Sequence, residues 1–138
     1  MRCTLISLVL SATLASVAMA EAQTTYSFPN TLAVVPTGQM SRIGLTTNLD
    51  INCNFLGYQQ TDVVSPPSNG QVFIKHLRSE YPTYASNSDR VSCDKVKRPG
   101  LEILYKSQPG FTGTVDLVIR MLDRNHVPLF KPYTIQVQ

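Results

Sequence analysis

Between Thr114 and Leu122 the apolar residues Val115, Leu117, Ile119 and Met121 fall on every second position, and Tyr133, Ile135 and Val137 alternate with Thr134, Gln136 and Gln138. Side chains point to opposite faces along a strand, so a period of two gives each run one apolar face that must be buried against another layer. Leu45, Thr47, Leu49, Ile51 and Cys53 repeat the rhythm and predict a strand there. Gln71–Lys75 and Leu101–Tyr105 read as shorter strands, and Leu32–Val35 opens the sheet. Turn-forming clusters separate these runs: Pro36-Thr37-Gly38, Ser65–Gly70, Pro99-Gly100, Pro109-Gly110 and Asn125–Pro128. Arg78–Asp89 is polar and reads as a long loop. No segment after residue 20 carries a capped helical stripe. The expectation is an all-β chain: one antiparallel β-sandwich of about seven strands.

The first twenty residues stand apart. Met1-Arg2 is basic, Leu5 to Val17 is apolar, and Ala18-Met19-Ala20 supplies small residues at a cut site. That pattern predicts a cleaved secretory signal peptide over 1–20, with the domain in 21–138 and a second possible cut after Ala22. The apolar run is shorter than the about 20 residues a spanning helix needs, and none of that length follows. The expected mature chain therefore has no membrane span. Cys3 precedes the apolar run, where no lipid is attached to an exported protein. The predicted location is periplasmic or secreted.

Residues 21–138 suffice for one domain with its own core. A formal charge of +3, without a basic stripe, argues against nucleic acid as a partner. Lys95, Lys97, Arg98 and Lys106 read as a solvated loop rather than an anion site. Cys53 and Cys93 are the two cysteines left after cleavage, and an even count in an exported domain reads as a disulfide. It would close a loop of about 40 residues, contributing roughly 3–4 kcal/mol. The competing readings are a metal pair or a reactive thiol, but neither cysteine sits in a C-x-x-C or C-x-x-H group.

Catalytic signals are thin. His76 and His126 are the two histidines, and no G-x-S-x-G elbow or glycine-rich phosphate loop accompanies them. Asp116 and Asp123 lie on or near a strand and read as solvated carboxylates. Met40, Met121 and the histidines are too scattered to suggest a copper site. The expectation is no enzyme, no cofactor and no metal. Tyr58, Tyr81 and Tyr84, with Arg78 nearby, form the candidate ligand or partner patch, because a tyrosine offers a flat apolar face with a polar tip.

Two stretches resemble motifs of the bacterial immunoglobulin-like and cadherin-like repeats of exported proteins. Val64–Val72 resembles their P-x-x-G-x-V hairpin, and Leu104–Thr114 resembles their Y-x-P-x-x-G-F-x-G-x-D segment. Ser107 stands where that class usually has proline, and Asp116 is displaced by one position. The resemblance implies a single immunoglobulin-like sandwich. In it Tyr105 ends a strand, Pro109-Gly110 turns the chain, Phe111 plugs the sandwich end and Gly113 admits the next strand. Cys93 precedes the strand at 101–105, so the disulfide ties a loop or a different strand pair to the sheet. The function expected is recognition of, or assembly with, another cell-envelope or secreted protein, with 32–35 or 133–137 as an edge for a partner strand. Carbohydrate binding on envelope or extracellular polysaccharide is the second expectation.

Overall fold

The computed structural model describes residues 26–138; the signal-peptide reading of 1–20 lies outside them. Eight strands follow in order: β1 (Tyr26–Ser27), β2 (Thr31–Val35), β3 (Met40–Thr46), β4 (Thr61–Ser65), β5 (Gly70–Glu80), β6 (Arg98–Ser107), β7 (Gly113–Leu122) and β8 (Pro128–Val137). A 3-10 turn at Val91–Lys95 is the one helical element among the described residues.

One sheet runs β1-β8-β7-β4, with β2 also on β8; the other runs β3-β6-β5. The β3-β6-β5 sheet corresponds to strands B, E and D of an immunoglobulin domain, and β4, β7 and β8 to C, F and G. The chain is an all-β, immunoglobulin-like sandwich with one disulfide. All pairings are antiparallel except at the start, where β1 and β2 run parallel to β8.

The period-two faces do what their pattern requires. Val115, Leu117, Ile119 and Met121 on β7, and Tyr133, Ile135 and Val137 on β8, turn inward onto Ile43, Ile103 and Tyr105 of the opposite sheet. Gly44 sits at a bulge in β3, where the register shifts between Arg42 and Gly44. A Cβ there would overlap the Tyr133 hydroxyl, so glycine is what lets the large ring fill the core. That hydroxyl is buried without a hydrogen-bond partner among the described residues, and burial pushes the Tyr133 phenol up to about 12.

The two motif stretches meet. The Tyr105 hydroxyl donates to the Asn69 carbonyl (2.7 Å), and the Gln108 N–H donates to the same oxygen (3.2 Å). Phe111 packs against the core, and Gly113 (φ +136) opens β7 beside its ring. Ser107, the departure from the motif, is buried and accepts the Gly38 N–H at 2.7 Å. Its hydroxyl thereby ties the β2–β3 turn to β6, a bond proline could not accept.

Three expectations change. The alternation over Leu45–Cys53 is not one strand: β3 ends at Thr46, and the chain leaves the sheet. The Asp50 carboxylate accepts the N–H groups of Asn52 and Asn54, both at 2.8 Å, which curls this segment into a turn instead of extending it. The strand β4 was not evident from the sequence, and β5 continues through Arg78 to Glu80, shortening the loop expected there. Residues 133–137 are no edge, because β8 lies between β7 and the β1–β2 strands; 32–35 is an edge.

Candidate functional site

Strand order brings three connections to one end of the sandwich: residues 47–60, 81–97 and 123–127. In immunoglobulin variable domains this end carries the binding loops. The connections at the other end, 36–39, 66–69 and 108–112, are short turns.

The loop at 47–60 holds its shape through its own backbone and through its neighbours. Leu49 is buried and bridges Phe55, while the Leu56 N–H donates to the Asn48 carbonyl (2.9 Å). Cys53 has φ +63 and is bonded to buried Cys93 of the 3-10 turn. The expected disulfide is thus present and ties two loops, not two strands. Arg98 Nε donates to the Cys53 carbonyl (2.6 Å) and Arg90 donates to the Leu49 carbonyl (3.3 Å). Asn54, through its side chain first, holds the Asp50 carboxyl below the usual carboxylate range.

The 123–127 hairpin is closed by Asp123, whose carboxylate accepts the N–H groups of Asn125 and Val127, both at 2.8 Å. It is stitched to the first loop where the Leu122 N–H donates to the Gln60 carbonyl (2.9 Å). Between the two lies an open groove of about 340 Å³, walled by Leu56, Tyr58 and Gln60 on one side and Arg124 and His126 on the other.

The expected tyrosine patch does not form one platform. Tyr58 stacks on His76 (4.0 Å between ring centres, 6° between planes), meets Phe55 edge-on, and donates its hydroxyl to the Leu77 carbonyl. Tyr84 is half-buried and accepts a hydrogen bond from Thr47. Tyr81 is exposed, with the Lys97 ammonium 5.1 Å from its ring centre. Arg78 is exposed on β5 and enters none of these ring contacts.

Sequence reasoning missed a different property of this end. Ile51 is 63% exposed at the tip of its loop, and Leu56, Val91 and Val96 are also exposed. The signal was present: apolar residues sit beside Asp50, Asn52 and Asn54, whose turn chemistry takes the segment out of any strand.

Neither imidazole hydrogen-bonds a serine or carboxylate, and no three of His, Cys, Asp and Glu gather as a metal requires, among the described residues. No helix there is long and apolar enough to cross a membrane.

No family model matches this chain, and no curated protein matches it. The solution structure of amebosin aligns with 82% of this chain and 98% of its own at 11% identity, with a TM-score of 0.45. Nothing about this chain follows from a likeness that slight.

Proposed function

We propose that this is an exported, non-catalytic recognition domain of the immunoglobulin-like class, which binds another cell-envelope or secreted protein through the loop end of its sandwich. One observation carries the reading: Ile51, Leu56, Tyr58, Tyr81, Val91 and Val96 are large apolar side chains left exposed on loops that a disulfide, two arginine-to-carbonyl bonds and a capped hairpin hold in place. A pre-ordered loop loses little entropy on binding, so modest apolar contacts translate into affinity. A contiguous exposed apolar patch marks an interaction site, and these six side chains lie on connections that share one end of the sandwich.

Export rests on the pattern of residues 1–20, and the disulfide between Cys53 and Cys93 fits an oxidising compartment, periplasmic or extracellular. A protein partner is favoured over polysaccharide because one face of Tyr58 is covered by His76 and Tyr84 is tied to Thr47, which leaves no pair of free rings for stacking on sugar.

The test is capture from envelope extract by the oxidised protein, alongside Ile51→Asp and Leu56→Asp. A single dominant protein that is lost with both variants but kept by a Leu32→Glu variant supports the reading. Polysaccharide without protein, or capture indifferent to Ile51 and Leu56, overturns it. Mass spectrometry of the protein recovered from its own host reads the export claim: a chain beginning at Glu21 or Gln23 supports it, and an intact Met1 contradicts it.

A further inference from the structure

From Ala22 to Ser41 the sequence contains no charged residue. Within that run lies β2, whose outer side is an open sheet edge among the described residues. Proteins ordinarily guard such edges with lysine, glutamate or inward-pointing charges, because unpaired N–H and C=O groups invite another strand. This edge carries Leu32, 72% exposed, and Val34, 60% exposed.

The Val35 carbonyl accepts the Gln138 N–H at 3.0 Å, so Val35 faces β8. Alternation puts Thr31 and Ala33 on the same side, and turns the N–H and C=O groups of Leu32 and Val34 outward. Pro36, next in the outward series, has no N–H and ends the available ladder. The free edge therefore offers two donors and two acceptors.

We infer that this edge pairs with the same edge of a second copy of the chain, antiparallel, about a twofold axis through Ala33. In that register Leu32 stands opposite the second copy's Val34, and Val34 opposite its Leu32. In an antiparallel ladder, directly opposed residues of this kind exchange both hydrogen bonds, so all four free groups on each copy are used. Shifting the register by two residues either way leaves only one of Leu32 and Val34 opposite a residue of β2 in the other copy. The four side chains form one apolar cluster across the junction, and cross-strand apolar pairs of this sort stabilise sheets. Absence of charge removes the like-charge repulsion that self-pairing otherwise meets. It also gives a charged partner strand nothing to recognise. The contact is isologous and closes at two copies. It is independent of the loop-end reading, since it uses neither the loops nor the groove.

The test is analytical ultracentrifugation of the purified oxidised protein, with Leu32→Glu and Val34→Lys made separately. Both positions are exposed, so near-wild-type melting verifies each fold. The parent protein is expected to dimerise with a dissociation constant on the order of 10–100 µM, as suits a short ladder. Each variant alone weakens dimerisation tenfold or more. Mixing the two variants restores a dimer, because the introduced glutamate of one copy then faces the introduced lysine of the other; a slipped register gives no such rescue. A parent that stays monomeric to about 1 mM overturns the inference. So does a dimer that neither variant weakens, or variants that do not rescue each other.

Discussion

The loop end and the β1–β2 margin are secured by opposite means. Residues 47–60 make little regular ladder. They are held by a disulfide, by Arg90 and Arg98 reaching backbone carbonyls, and by the Asp50 carboxylate capping its own turn. The β1–β2 margin has almost none of this: it rests on parallel pairing to β8, with Asn30 donating to Thr134 as a side-chain tie. A ladder satisfies the backbone by itself and needs no pins, whereas a loop leaving the sheet must find partners for its N–H and C=O groups elsewhere. Pins fix a loop's shape and leave its side chains free to meet a partner. A ladder fixes one side of a strand and leaves the other open.

The largest loss is expected at β8, which supports the margin and joins it to β7. Deleting residues 133–138 removes Tyr133, Ile135 and Val137 from the core, and no cooperative thermal transition should remain. A truncated protein that melts near the full-length temperature contradicts this role for β8. Next comes the loop end: replacing both Cys53 and Cys93 with alanine is expected to lower stability by roughly 3–4 kcal/mol in urea titrations. The sheets should keep their far-ultraviolet circular dichroism, because the disulfide joins loops and not strands. Gly44→Ala, which forces a methyl against the Tyr133 hydroxyl, should cost about 1–3 kcal/mol by the same measurement.

Two buried tyrosines should respond in opposite ways to loss of the hydroxyl. Tyr105→Phe loses the bond to Asn69 and should destabilise by about 0.5–1.5 kcal/mol. Tyr133→Phe removes a buried hydroxyl that has no partner and should leave stability unchanged or raise it. Equal losses from the two substitutions would contradict the assigned hydrogen bonds. The smallest effect is acid sensitivity. Asp50 is held below the ordinary carboxylate range by Asn54, and Glu80 by the Tyr81 N–H and then by Arg42. A carboxyl lowered by folding contributes fully above its unfolded value and loses that contribution as pH falls through the lower, folded one. A Tm that falls on acidification below that range, and less so in Asp50→Asn, is the expected result.

Much of this was legible in the chain. The inward faces of β7 and β8 follow from Val115–Met121 and Tyr133–Val137, and the pairing of Cys53 with Cys93 from their being the two cysteines after residue 20. What escaped was set by particular side chains. Leu45–Cys53 has a strand's periodicity, yet Asp50, Asn52 and Asn54 offer the backbone local hydrogen bonds that outcompete a ladder. The strand β4 is short and runs into Pro66-Pro67, so its pattern was too brief to recognise. That β8 is flanked on both sides depends on β1 and β2 crossing to its sheet in parallel, a choice of partner that no periodicity encodes. The tyrosines are legible as residues, but their partners are not: Tyr58 and Tyr84 bond to neighbours, and Ile51, Leu56, Val91 and Val96 join Tyr58 and Tyr81 as exposed apolar side chains at this end.

Amide hydrogen exchange on oxidised and reduced protein tests most directly whether the loop end is pre-ordered. Asp50, Asn52, Cys53, Asn54 and Leu56 all donate their N–H groups within the loop. Slow exchange is expected across Asp50–Leu56 when Cys53 and Cys93 are bonded, and fast exchange after reduction with β6, β7 and β8 still protected. Exchange across this segment at the rate of an open chain in the oxidised protein would contradict it.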